Sequence, residues 1–98
     1  MKIALDYDNT ITADPIFWSE FIKLSKKYGH SIKIVTIRNK SDENSDIEGF
    51  GLDNDIGIIY SNMKQKNEIH EADIWIDDMP LTIPSIDSMN SLVTLSRI

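Results

Sequence analysis

Cysteine is missing altogether from the 98 residues of this chain. Its absence excludes disulfides, zinc–thiolate centres and a thiol nucleophile, and it agrees with a reducing compartment without demanding one. Also missing is any run of about 18 apolar residues, the length a membrane-spanning helix requires. The first residues read as a short strand where a signal peptide would carry its apolar core, so the expectation is a cytosolic (cytoplasmic) protein with no membrane partner. Positive charge is scarce: ten Lys and Arg against sixteen Asp and Glu leave a formal charge of −6. That balance argues against an extended nucleic-acid-binding surface and leaves room only for a local basic patch. Internal repeats and low-complexity segments are absent too. What remains, 41% hydrophobic and 27% charged residues, is ordinary globular composition. The length suits a single domain over residues 1–98, burying about 60–70% of the chain's surface, without room for a second domain or a sizeable lid.

The most informative stretch is residues 3–12, IALDYDNTIT. An apolar strand (Ile3, Ala4, Leu5) runs directly into Asp6, Tyr7, Asp8, Asn9 and Thr10. Two carboxylates two positions apart at the mouth of a buried strand oppose each other's ionisation unless positive charge lies between them, and a divalent cation is the simplest source of it. The motif alone is weak. Eleven residues are Asp, so one Asp-x-Asp is expected by chance about once in such a chain. It recurs at Asp53 and Asp55, where a preceding Gly51 and a following apolar run predict a solvated loop.

The remainder of the chain alternates strand and helix signals. Asp14 followed by Pro15 predicts a capped helix start. Phe17, Phe21, Leu24 and Tyr28 recur at helical spacing with Ile22 beside them, while Glu20, Lys23, Lys26 and Lys27 take the other side, and Gly29 ends the helix. Residues 31–37, SIKIVTI, predict a second strand carrying Thr36 near its C-terminal end. Residues 39–55 are polar and acidic, with a short helix expected over 43–50 and loop elsewhere. A third strand is expected over 56–60, a helix over 62–71, and a fourth strand over 73–76 ending on Asp77 and Asp78. Pro80 and Pro84 bound a turn segment, and residues 92–95 supply a last strand. This alternation predicts an α/β class: a three-layer, Rossmann-like fold with a central, mostly parallel sheet of about five strands and helices on both faces. Ligands of such sheets bind beyond the carboxyl ends of the strands, where Asp6, Asp8, Thr36, Asp77 and Asp78 all fall.

At these residues the chain resembles the haloacid dehalogenase-like (HAD) superfamily of phosphatases and phosphotransferases, over residues 1 to about 83. Asp6, Asp8 and Thr10 match its Asp-x-Asp-x-Thr, Thr36 its strand-ending Thr, Lys64 or Lys66 its Lys, and Asp77 with Asp78 its acidic pair. The resemblance implies a Mg2+-dependent phosphomonoester hydrolase. Asp6 would be the nucleophile that forms an aspartyl-phosphate, and Asp8 the acid and base that serves the leaving group and then water. The Asp8 carboxyl favours phosphoryl transfer over carbon–halogen cleavage, because the dehalogenase branch lacks it. The metal ligands implied are Asp6, the backbone carbonyl of Asp8, and Asp78, with Asp77 helping through water. Thr36 would donate to a phosphoryl oxygen and the Lys would pair with Asp6. Lys66 fits the family spacing better, while Lys64 lies closer to the strand end. Arg38, two residues after Thr36, either grips a substrate phosphate, as in relatives with Thr-x-Arg, or is an exposed loop residue.

No cap fits between Thr10 and Asp14, so the implied site is capless and open. It would admit a small-molecule phosphomonoester, a nucleotide, or a nucleic-acid end, unless a homo-oligomeric partner covers it. Two alternatives stay open: a non-catalytic or receiver-like module that binds Mg2+ and phosphate, and a phosphotransferase to a hydroxyl acceptor. Other features read as structural. The segment from Asp42 has EF-hand oxygens at positions 1, 3 and 5, yet Ile47 and Asp53 stand where Gly and Glu are required, so it reads as a solvated acidic loop. His30 and His70 lie near helix ends, where partial positive charge is favoured, and Trp18 and Trp75 read as packing residues.

Overall fold

A computed structural model describes residues 1–83 and 92–94. They form a mixed α/β fold around a parallel sheet. Four strands, β1 (Lys2–Leu5), β2 (Ser31–Thr36), β3 (Gly57–Tyr60) and β4 (Ile74–Asp77), lie in the order β3-β2-β1-β4. Leu5 aligns with Ile34 on one side and with Ile76 on the other. A three-residue segment, β5 (Leu92–Thr94), runs parallel to β4 beyond it. The expected turn boundary at Pro84 and the expected strand residue Leu95 lie outside the described residues.

Strand side chains alternate between two apolar clusters, as the pleat requires. Ile3, Leu5, Ile32, Ile34 and Ile76 face Trp18, Ile22 and Ile47 of two helices, α1 (Pro15–Lys27) and α2 (Ser45–Asn54). Ala4, Val35 and Trp75 face Ile83, with Ile59 and Ala72 packed beside them. Each face of the sheet therefore carries an apolar cluster, while Ser31 and Lys33 of β2 stay exposed.

Helix α1 begins where expected. The Asp14 carboxylate accepts from the Phe17 N–H at 3.2 Å and Pro15 takes the first turn. Gly29, at φ 81°, turns the chain out of the helix. Its buried face differs from the expected one: Trp18, Ile22 and Ser25 are buried, whereas Phe17, Leu24 and Tyr28 are 54%, 55% and 68% exposed. Ser25 tolerates burial because its hydroxyl bonds back to the Phe21 carbonyl at 2.8 Å. The sheet thus takes the edge of the stripe that carries Trp18 and Ile22, with Phe21 half-buried beside them, and leaves Phe17, Leu24 and Tyr28 outside.

Two further expectations are corrected. Helix α2 runs on to Asn54, through the region expected to be loop, so Asp53 sits in a helix and Asp55 is its left-handed C-cap at φ 49°. Both are exposed, as expected. Gly51 stays helical for a packing reason: a Cβ there would stand 2.9 Å from Ile58 Cδ1 and 3.2 Å from the Ile56 carbonyl oxygen. The helix expected over 62–71 shrinks to α3 (Lys66–Ile69). Asn62 and Met63 adopt left-handed backbone, and the amides of Ser61, Asn62 and Met63 bond to the carbonyls of Thr36, Arg38 and Ile37 at 2.8, 3.2 and 2.8 Å. Two consecutive residues in left-handed backbone cannot belong to a right-handed helix. Among the described residues no helix is long and apolar enough to cross a membrane.

Candidate functional site

The chain lays down β1, β2 and β3 outward in one direction, then returns to place β4 on the other side of β1. The crevice beyond the carboxyl ends of β1 and β4 is the switch point where open parallel sheets hold ligands. Asp6 leaves β1 there with its amide bonded to the Ile76 carbonyl at 2.9 Å. The next residues fold into a tight turn, with Asn9 at φ 62°, a conformation Asn tolerates better than most residues. The amides of Thr10 and Thr12 return to the Tyr7 carbonyl, and the Asn9 amide bonds to Thr12 Oγ1 at 2.9 Å. The turn brings Thr10 Oγ1 to donate to Asp6 Oδ2 at 3.2 Å.

Oxygens of Asp6, Asp77 and Asp78 lie within 4.8 Å of one another. Asp6 and Asp77 are buried and Asp78 is half-buried. Into this cluster runs Lys66, only 1% exposed, whose Nζ donates to Asp6 Oδ1 at 2.8 Å and to Asp77 Oδ2 at 2.5 Å. Of the two lysines the sequence left open, Lys66 reaches the acids and Lys64 is exposed. Asp77 is further engaged by the Met79 amide at 2.9 Å and the Thr82 hydroxyl at 3.5 Å. With Asp77 occupied in this way, Asp6 and Asp78 have the most coordination capacity left.

Three carboxylates against one ammonium leave the cluster two negative charges in excess. Burial pushes the Asp6 carboxyl up to about 7; Lys66 opposes the shift, and Asp77 and Asp78 add to it. The folded chain therefore holds this proton more tightly than the unfolded one. The stability it contributes is fully present below the ordinary carboxyl value of 3.8 and is lost as pH rises through about 7. An all-oxygen donor set of this kind suits a hard divalent cation. The cleft around it, lined by Asp6, Asp8, Asn9, Lys66, Asp78 and Met79 among others, measures about 60 Å³. That is the space of about two waters, enough for an ion, so a larger ligand would rest at its mouth.

Of the remaining expected residues, Asp8 lines the cleft, whereas Thr36 and Arg38 do not. Thr36 is fully buried and its Oγ1 accepts from the Arg38 amide at 3.3 Å; Ile37 rather than Thr36 lines the cleft. Arg38 is not a free loop residue. Its Nε and Nη2 donate to Asp8 Oδ2 and Oδ1 at 2.9 and 2.7 Å, and its Nη1 and Nη2 donate to Asp46 Oδ1 and Oδ2 at 2.8 and 3.0 Å. The guanidinium also lies 5.2 Å from the Tyr7 ring centroid. The Arg38 N–H groups hold Asp46 down at about 2, and the carboxylates of Asp46 and then Asp8 hold Arg38 far above its usual value. The Asp8 carboxylate, therefore, faces Arg38 rather than the Asp6 cluster.

Asp46 and Asn44 are the residues that sequence reasoning missed, having been read as part of a solvated acidic segment. No sequence signal singles Asp46 out, since its bond to Arg38 depends on where α2 begins. Trp18 and Trp75 are buried packing residues. His30 bonds the N-terminal amine through Nδ1 at 2.8 Å. His70 is pushed down by burial and by Lys33 and Lys2, contrary to the expected favouring of positive charge, because α3 spans only four residues and offers little dipole. No family model, curated protein or solved structure matches this chain.

Proposed function

We propose that this chain is a capless HAD-like phosphatase of three-layer architecture with about five strands, hydrolysing phosphomonoesters through an aspartyl-phosphate on Asp6. The observation that carries the reading is the buried Lys66 ammonium bridging Asp6 and Asp77, with Asp78 in reach, at the switch point of the sheet. A structural ion pair needs one acid per base; three acids around one base is a charge state that a divalent cation balances, and that cation can in turn receive an anionic phosphoryl group.

In this reading Asp8 first takes up a proton from solvent; an Asp6 oxygen then attacks phosphorus, the ester bond breaks, and Asp8 passes that proton to the leaving oxygen. Asp8 then removes a proton from water, whose oxygen attacks the same phosphorus and restores the Asp6 carboxylate. Lys66 holds the Asp6 carboxylate in place and offsets charge in the transferring group. Thr36, fully buried with its Oγ1 accepting from the Arg38 amide, would position the loop that carries Arg38 rather than meet the phosphoryl group. Asp6 and Asp78, with Asp77 through water, would hold Mg2+, which screens the repulsion between nucleophile and phosphate when bound. The narrow cleft without a cap favours substrates whose phosphate is terminal and whose remainder stays outside, such as a nucleotide or a nucleic-acid end.

The test is hydrolysis of p-nitrophenyl phosphate by the full chain with and without Mg2+. Turnover that requires the metal and stops on chelation is expected. A long-lived adduct from acetyl phosphate without turnover would favour a receiver-like module instead. Metal binding carries its own pH signature, because cation and proton compete for Asp6. Thermal melts should show a Mg2+-induced rise in Tm at pH 8 that shrinks toward pH 5; an equal rise at both values would place the ion elsewhere.

A further inference from the structure

Arg38 spends all five of its N–H groups: one from Nε and one from Nη2 on Asp8, the other from Nη2 and one from Nη1 on Asp46, and the last on Asn44 Oδ1 at 3.4 Å. A phosphate can reach this guanidinium only by displacing one of the carboxylates. The two are not equivalent. Asp46 sits in the first turn of α2, a ten-residue helix whose N-terminus favours an acid. Beside it Asn44 is buried, and its Nδ2 ties the preceding loop together by bonds to the carbonyls of Asn39, Lys40 and Asp42 at 3.0, 3.4 and 3.1 Å. Asp8 stands on the turn that lines the cleft. Its two oxygens accept in parallel from Nε and Nη2, an acceptor pair that two oxygens of a phosphate reproduce.

We propose that Asp46 is a positioning residue that anchors Arg38 against Asp8, which lines the cleft, so that an arriving phosphate takes the place of Asp8 on the guanidinium and releases Asp8 for proton transfer. The inference rests on the phosphoryl-transfer reading above. It makes substrate arrival and liberation of the acid one event: while the site is empty of phosphate, both Asp8 oxygens are engaged, and once phosphate docks they are free to face the leaving group.

The exchange can be read directly on Arg38, since the chain has only one other arginine, Arg97. The probe is inorganic phosphate titrated with Mg2+ into the 15N-arginine-labelled full chain, following the Nε–H signal that Arg38→Lys removes. Phosphate should move this signal in the wild type. Its dissociation constant should rise about tenfold in Asp46→Asn, stay within about threefold of wild type in Asp46→Glu, and fall at least about threefold in Asp8→Asn, where no carboxylate competes. With p-nitrophenyl phosphate, Asp46→Asn should raise KM by more than it lowers kcat. Unchanged phosphate affinity in either Asp46→Asn or Asp8→Asn would overturn the exchange. Hydrolysis by a wild type whose Arg38 signal ignores phosphate would remove the exchange and keep the phosphatase. The reverse pattern, a moving signal that weakens in Asp46→Asn without any hydrolysis, would remove the phosphatase and keep the exchange.

Discussion

Asp6→Asn is expected to lower hydrolysis of p-nitrophenyl phosphate by a factor of about 10⁴ or more, the scale on which removing a covalent nucleophile acts, and to raise thermal stability at the same time. The two effects share a cause. The Asp6 carboxylate is desolvated strongly enough that burial outweighs its bond to Lys66 and pushes the carboxyl up to about 7. An amide has nearly the same shape, can still accept from Lys66 Nζ, and carries no charge to desolvate. The Thr10 hydroxyl can rotate to accept from the new amide N–H. A gain on the order of 1 kcal/mol, the usual size of a stabilising substitution at a functional site, is expected at pH 8 without metal. Because wild-type Asp6 is itself protonated well below 7, the gain should fade by pH 5. Full activity in Asp6→Asn would refute the choice of nucleophile. A lower Tm at pH 8 would show that Lys66 more than compensates the buried charge.

Lys66→Met should act in the opposite direction and harder. The side chain is 1% exposed and supplies the single positive charge among three carboxylates. Taking it away leaves buried anions uncompensated, a change that destabilises by about 3–5 kcal/mol. A domain of this size has about 5–15 kcal/mol in total, so a drop in Tm of more than about 10 °C is expected at pH 8. At pH 5 the loss should be smaller, since carboxyls freed of Lys66 take up protons. The exposed Lys64→Met serves as the comparison and should stay within about 0.5 kcal/mol of wild type. A large effect at position 64 with none at 66 would reverse the assignment of the buried base.

The parallel sheet and the acids at its carboxyl edge were legible because each rests on a local signal. A short run of Ile, Val and Leu that stops on Asp is a buried strand delivering a charge, and Asp14–Pro15 is a capped helix start. What was not legible depends on partners distant in sequence. Phe17, Leu24 and Tyr28 have the spacing of a core stripe, yet the sheet packs on the neighbouring stripe of Trp18 and Ile22, which periodicity alone cannot rank. The expected helix stops short of Gly51, but the approach of Ile58 that keeps this glycine helical is visible only once β3 lies against α2. The pairing of Arg38 with Asp8 spans 30 residues and that with Asp46 spans eight. In a chain with sixteen acidic residues, no pattern tells which acid an arginine will choose.

The bond from the Asp6 amide to the Ile76 carbonyl fastens together the two strand ends that carry the acids. Backbone held in that way does not wait for an ion to shape it. On the proposed reading, a cation would meet acids already gathered by the sheet, so its uptake would be governed by how fast it sheds water and by the pull of the surplus negative charge.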